Sequence, residues 1–567
     1  MNILGLWGYS ADSPGPTHES GACILSDGKL LAAITEERLS RKKNDGAYPF
    51  RAIEEVFRIT RFSEKDMDLI SLAGLPPFRR CAKMLSSQWQ LYRETGIVLP
   101  RRVLYALLTA KKVRRVVPKK LNDIRRVEWE HHLCHAAAAF FTSPFEQATV
   151  ITLDGIGDSA ICGTVSIGRG DDLQRIYEFN GYYSPGILYS YVTKAFGFRP
   201  ARHEGKVTGL AAFGDPNACY DDFKALLQYD GQRHRFFSRF IPVLFAPNSN
   251  DLWSLPLMSE LMDRFDRKEI AASLQRVLEE EVIKMVKDAL SATGIPDLAL
   301  AGGVFANVKL NQRVRELDGV RSVYIHPGMG DDGLMVGAAY LGQRFLARER
   351  KAPFQREYLQ TVYLGPEFSE DDILSSLQRH GLKGRRSDQI EGEIAQLLTE
   401  RRIVGRFAGR MEYGPRALGN RSILADPRDR TINDWLNKRL KRTEFMPFAP
   451  SILEENARDY LKGWRADQPA ARFMTMTYNV YPGAQKNCEA VVHVDGTARP
   501  QVVRSEDNPG YHRILMAYKT LSGLPLVVNT SFNIHEEPIV CTPDDAIRSY
   551  LLGCVDALVL ENIVVSK

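Results

Sequence analysis

None of the eight cysteines, at 23, 81, 134, 162, 219, 488, 541 and 554, stands in a CxxC pair. That scatter excludes a zinc ribbon and a disulfide-stapled module, and carries the expectation of reduced thiols in a cytoplasmic protein. Long apolar runs are missing too. Even CHAAAAFF at 134–141 falls far short of the roughly 20 residues that span a bilayer. The opening MNILGLWGYSADS lacks an arginine-rich or apolar leader and reads as a strand followed by a polar loop. Charge of one sign is scarce: +6 over 567 residues says nothing about partners. There is no repeat of solenoid period, no low-complexity tract and no HExxH run, so a zincin-type protease is excluded.

What is present belongs to an ordinary globular protein, 44% hydrophobic and 25% charged. The length predicts two or more domains. MNILGLWGY, then GACILS and LLAAITEE around Asp27-Gly28, predict a strand and a hairpin. ATVITLD, GIGDSA and ICGTVSIG predict a second strand–turn–strand unit, and DLALAGGVFAN a strand that ends in paired glycines. A duplicated α/β fold with a nucleotide-like ligand between its halves is the expectation. The charged stretch FLARERKAPFQREYLQTVYLGP near 345–362 marks a boundary, giving domains 1–350 and 351–567. In the second, 366–400 reads as helix–loop–helix, IVGRFAG and PLVVNTS as buried strands, HVDGTARPQVV as alternating strand, and DALVLENIVV as a terminal apolar strand.

His131 and His135 lie four apart in VEWEHHLCHAAAAFF, so both imidazoles project from one face of an alanine-rich helix. Two such imidazoles hold a metal if a third group arrives from elsewhere. HPGMGDDGLMVGAA offers Asp331 and Asp332 at the head of another apolar helix. Arg410, Arg416 and Arg421 fall within twelve residues, interleaved with Gly409, Gly414 and Gly419. Guanidinium forks and approachable backbone amides suit phosphates. Lys441, Arg442 and Arg499 add charge, and Asn529, Ser531 and Asn533 alternate as a polar wall. The basic run 100–126 reads as a solvated face or an anion contact; with Tyr105 its lone aromatic residue, it argues weakly for RNA.

Ten ordered motifs then resemble one family over essentially the whole chain: HESGA, DGKLLAAITEERLSRKK, EHHLCHAA, LDGIGD, EGKVTGLAAFG, GGVFANVKLN, GDDGLMVGAA, GRMEYGPRALGNRSIL, HVDGTARPQ and NTSFNIHEEPIV. The chain resembles ATP-dependent O-carbamoyltransferases of the nodulation-factor and antibiotic-tailoring type. The resemblance implies a duplicated actin- or sugar-kinase-like N-terminal domain, similar to the tRNA threonylcarbamoyl-transfer protein. It also implies a C-terminal α/β domain similar to the threonylcarbamoyl-adenylate-forming protein. ATP with Mg and carbamoyl phosphate would give carbamoyl adenylate in the second domain. The first would pass the carbamoyl group to a hydroxyl of a small-molecule natural product. On this resemblance His131, His135 and Asp331 hold one divalent metal, expected to be Fe(II), and His18 is the general base. Asp154, Gly155, Lys206, Gly302, Gly303 and Asn307 bind the adenylate. Arg416, Arg421, Lys441, Arg499, Asn529 and Ser531 bind carbamoyl phosphate and ATP. No nucleic acid or membrane partner is expected, the alternative being a threonylcarbamoyl-type enzyme acting on tRNA. Asn44 replaces a histidine usual in the family and Met446 a usual arginine, which leaves the register of Lys441 against Arg442 open.

Overall fold

The computed structural model describes residues 1–8, 18–75, 119–158, 160–238, 256–440 and 448–566, with scattered positions in 79–93. Most of the basic run, from 101 to 118, lies outside the described residues, as do loop residues 9–17, Lys441 and Arg442.

Two five-stranded sheets share one connectivity. The first contains β1 (Asn2–Trp7), β2 (Gly21–Ser26), β3 (Lys29–Thr35), β4 (Leu69–Ala73) and β5 (Arg126–Trp129). Its order is β3-β2-β1-β4-β5, antiparallel through the first three strands and parallel from β1 to β5. Asp27 and Gly28 both take positive φ, 46° and 85°, as a two-residue hairpin turn of this hand requires. The second sheet contains β6 (Gln147–Leu153), β7 (Ile161–Arg169) and β8 (Asp172–Asn180). A short hairpin, β9 (Gln228–Asp230) with β10 (Arg235–Phe237), precedes its last strands, β11 (Asp297–Ala301) and β12 (Ser322–Ile325). The order β8-β7-β6-β11-β12 repeats the first sheet, antiparallel meander and parallel extension included. This is the duplicated α/β fold of the actin and sugar-kinase type. The parallel strands β4, β11 and β12 are buried at every residue, with the helix Leu334–Glu349 packed on β4 and the helix His131–Phe141 on β11, whereas β8 alternates toward solvent.

The repeat also sets where the helices go. In each half a helix follows the last parallel strand: His131–Phe141 after β5, and Leu334–Glu349 after the β12 turn. Glu130 caps the first, its carboxylate accepting from the amides of His132 (3.0 Å) and Leu133 (2.9 Å).

The chain forms two compact units, Met1–Glu36 with Asn44–Leu359, and Glu37–Lys43 with Gln360–Lys567. The break therefore falls after Leu359 rather than at 350. The helix Leu334–Glu349 is followed by residues still tied to the first unit, Glu357 N–H donating to Gly28 O and Leu359 N–H to Thr142 O. The second unit holds β13 (Arg385–Arg386), β14 (Val404–Phe407), β15 (Arg421–Ala425) and β16 (Ala449–Leu453). After the short pair β17 (Tyr478–Asn479) and β18 (Thr497–Ala498) come β19 (Gln501–Val503), β20 (Leu526–Ser531), β21 (Ala557–Leu560) and β22 (Ile563–Ser566). Eight of these make one mixed sheet, β13-β22-β21-β14-β15-β20-β16-β19, packed on Ile394, Leu398, Tyr511, Leu515 and Tyr518. DALVLENIVV is a hairpin and not one strand, because polar Glu561-Asn562 turns the chain with Glu561 at φ 52°. HVDGTARPQVV likewise splits into two short strands. Among the described residues no helix is long and apolar enough to cross a membrane.

Candidate active site

Three chain segments from both halves of the first unit converge on one buried point. The histidine helix brings His131 and His135, with Nε2 atoms 3.1 Å apart. Asp154, one residue past β6, sets Oδ2 3.2 Å from His131 Nε2 and 3.5 Å from His135 Nε2. Asp331, in the turn after β12, sets Oδ1 3.6 Å from both. All four ligand atoms lie within 4.8 Å of one another. Asp331 Oδ1 is buried and accepts no hydrogen bond among the described residues. Two imidazoles and two carboxylates, with an acceptor atom left over, fit a divalent transition metal.

The charges tell the same story. Burial opposes a proton on His131, yet the carboxylates of Asp331 and Asp154 outweigh it and raise the pKa to about 9. Burial would raise Asp154, but His131 and His135 hold it well below the usual carboxylate range. His18 stands on the outer oxygen of Asp331, Nδ1 to Oδ2 3.9 Å, and its backbone carbonyl accepts from Trp7 Nε1 at 3.0 Å. For His18 too, burial is outweighed by Asp331 and Glu19, which raise it to about 10. Behind the cluster the opposite holds. Burial lowers His132 and His326 to about 3, so both are neutral, hydrogen-bonded to Thr152 Oγ1 and Thr142 Oγ1 at 3.0 Å.

For His326 this sets an acid limit. Its folded pKa, about 3, lies below the ordinary 6.5, so the unfolded chain takes up the proton first. The stability it contributes is present above pH 6.5 and is lost as pH falls toward 3, about 2 kcal/mol by pH 5. Urea unfolding at pH 7.5 and 5 should show the loss, and His326→Gln should shrink the difference between the two.

Two glycines make the convergence possible. Gly302, at φ 103°, passes so close to β6 that a Cβ would lie 2.3 Å from Leu153 O. The next amide, Gly303 N–H, donates to Asp154 Oδ1 at 3.2 Å and aims the other oxygen at the histidines. Gly337 lets the second helix touch the histidine helix; a Cβ there would lie 1.8 Å from Cys134 O. Gly337→Ala should therefore drive the two helices apart, costing about 1–3 kcal/mol of overpacking and withdrawing Asp331. Thermal unfolding and metal content would both report it, and an unchanged metal content would refute the geometric link.

In the second unit the loop between β14 and β15 is built around one buried carboxylate. Glu412 Oε1 accepts from the amides of Leu418 (2.8 Å), Asn420 (2.8 Å) and Arg421 (3.1 Å). Arg421 is fully buried over the Phe407 ring, its guanidinium donating to the carbonyls of Ala408, Asn420, Gly409 and Pro366. Arg410 donates to Gly365 O and Leu364 O. Arg416 stays half-exposed, next to Arg499. Burial and then the like charge of Arg416 push Arg499 well below the usual arginine range, and among the described residues no carboxylate pairs with it. Two guanidiniums held this way favour an anion between them.

Two family models match this chain, Carbamoyltransferase N-terminus over residues 15–340 and Carbamoyltransferase C-terminus over 395–567. The chain belongs to the carbamoyltransferase family. Nodulation protein NolNO of Sinorhizobium fredii is 34% identical over 97% of this carbamoyltransferase and 79% of its own length. Nodulation protein NolO of Bradyrhizobium diazoefficiens is 35% identical over 77% and 78%. Among solved structures, full-length HypF in a phosphate- and nucleotide-bound form shares 15% identity, covering 61% of this chain and 55% of that one, with a TM-score of 0.33.

The carbamoyltransferase places several residues differently from the sequence reading. Asp154, expected at the adenylate, faces the histidines and is the fourth member of a group that could hold a metal ion. Its signal was the motif LDGIGD, but only the fold shows that the end of β6 abuts the histidine helix. Arg421, expected on phosphate, instead spends both terminal nitrogens on four carbonyls, because burying its charge demands acceptors, while its Nε is buried without a partner among the described residues. Asn529 is buried, donating to Ala417 O, Ser451 Oγ and Gln501 Oε1. Asn307 caps the helix Val308–Arg315 and exchanges hydrogen bonds with Gln275, so its amide is occupied. Lys206 is buried with its ammonium 5.0 Å from the Phe198 ring centre. Gly155 adjoins Asp154 in the turn after β6, and Ser531 ends β20 opposite Ser422. Glu412 and its ring of amides were missed, since nothing in MEYGP distinguishes a buried acceptor from a surface acid.

Proposed function

We propose that this carbamoyltransferase forms carbamoyl adenylate from ATP, carbamoyl phosphate and water in its second unit, releasing phosphate and pyrophosphate, and transfers the carbamoyl group to a small-molecule hydroxyl in its first. The observation that supports the reading best is the buried cluster of two imidazoles and two carboxylates at His131, His135, Asp154 and Asp331. A divalent cation there, Fe(II) on the donor set, supplies Lewis-acid polarisation of a carbamoyl or phosphate oxygen and neutralises the two carboxylates. His18 serves as general base toward the acceptor hydroxyl; a cation on Asp331 would offset the larger of the carboxylate charges that hold its proton, with Glu19 remaining beside it. The hydroxyl oxygen attacks the carbamoyl carbon, His18 takes its proton, and AMP leaves with the bonding pair. Asp154, anchored by Gly303, keeps the cluster oriented through the step. Arg416 and Arg499 hold the phosphate of carbamoyl phosphate or the polyphosphate of ATP, with Mg as the nucleotide's counter-ion.

The test is incubation with ATP, carbamoyl phosphate and pooled hydroxylated metabolites, following by mass spectrometry the gain of one carbamoyl group. Release of pyrophosphate without any carbamoylated product from any pool would sink the transfer half of the reading. Carbamoylation that proceeds without ATP would sink the adenylate half.

A further inference from the structure

The seven residues Glu37–Lys43 are flanked in the chain by the first unit on both sides, yet they pack as part of the second. Two arginines fasten them there. Arg41 donates through Nη1 to Ile539 O at 2.7 Å and through Nη2 to Pro538 O at 2.8 Å, with Nε 3.2 Å from Asp545 Oδ1. Arg38 is buried, pairs with Glu37 at 3.1 Å, and donates through Nη2 to Gly414 O at 3.0 Å. Gly414 sits two residues before Arg416 and at φ 99°, so its carbonyl direction governs how the chain enters that residue. Glu412 Oε1 secures the far side of the same loop through Leu418, Asn420 and Arg421. Arg416 is therefore presented from a span held at both ends, and one of the two holds comes from outside residues 360–567.

We infer that Arg38 is a positioning residue for adenylate formation: its bond to Gly414 O fixes the loop that points Arg416 at the anion, and Arg41 keeps Arg38 in place. The inference rests on the assignment of Arg416 and Arg499 to the phosphate-bearing substrates. A buried guanidinium is suited to the task, because a charged donor to a carbonyl is worth more than a neutral one and loses more if the loop drifts. Carbamoyl phosphate is the ligand most exposed to such drift, since a bidentate clamp on a small anion tolerates little misplacement.

The experiment uses the full chain with R38Q, R38K and R416A, alone and as the double variants R38Q/R416A and R38K/R416A. Hydrogen exchange of the peptide covering 412–421 should quicken in R38Q, while β14 and β21 exchange at the wild-type rate. R38K, which keeps a cationic donor, should recover most of the protection. In pyrophosphate-release assays R38Q should raise the KM for carbamoyl phosphate about tenfold with a smaller change in kcat, and R38K should recover part of it. Added to R416A, R38Q should cost little more, because both act on one clamp. Metal content should stay at the wild-type value. Wild-type exchange of the loop in R38Q overturns the proposal, as does a KM penalty that adds in full to that of R416A. If R38Q does not fold, R38K and its double variant carry the same test, with smaller changes in the same directions. Should R416A itself leave pyrophosphate release intact, the anion-site assignment falls, and the exchange data still decide whether Arg38 holds the loop.

Discussion

Changing His135 to Ala empties the cluster of one of its two imidazoles, and carbamoyl transfer to the acceptor should fall on the order of 10²–10³-fold or more. The side chain is fully buried, and its Nε2 is within 3.6 Å of His131, Asp154 and Asp331. Its loss leaves three donors, two carboxylates and one histidine, where four converge, so a divalent ion should be held more weakly. Bound metal, read by elemental analysis, should therefore drop together with transfer. Formation of adenylate, followed as pyrophosphate release, should persist, since the arginine loop belongs to the other unit. Asp154→Asn should lower metal content as well. That result separates a four-ligand cluster from the three-ligand set expected from the sequence. Full transfer and full metal content in His135→Ala would refute the assignment.

Replacing Arg416 with Ala should cut pyrophosphate release from ATP and carbamoyl phosphate about 10²-fold, leaving a rate from which a KM is still read, and should leave transfer from supplied carbamoyl adenylate intact. Removing a charged hydrogen-bonding clamp costs about 1.5–3 kcal/mol for each bond in binding, and more where charge develops during reaction. The contrast with Arg421 sharpens the test. Arg421→Ala removes the guanidinium that satisfies four loop carbonyls over Phe407, so it should lower the unfolding temperature as well as activity. Arg416→Ala should leave the unfolding temperature near wild type, because that side chain is half-exposed. Equal destabilisation by both variants would mean that Arg416, too, is a structural arginine. Failure of supplied adenylate to restore transfer would give the loop a part in the second step.

Local patterns in the sequence determined what local physics controls. Four-residue spacing put His131 and His135 on one helical face, Asp27-Gly28 turned a hairpin, and buried apolar runs marked β6 and β11 as core strands. The duplication showed as two strand–turn–strand units, and ten ordered motifs carried the resemblance to carbamoyltransferases. Tertiary structure alone decided which charged groups meet. Asp154 and Asp331 stand 177 positions apart, and only the repeated sheet connectivity puts both strand ends against one helix. The same holds for the arginines. Arg410, Arg416 and Arg421 look alike in sequence, but in the fold Arg410 and the buried Arg421 donate to carbonyls, while Arg416 lies beside Arg499. Arg38 reaches Gly414 across 376 positions. Spacing encodes which face a side chain takes, whereas the acceptor that a buried charge must find is set by whichever distant backbone the fold brings against it.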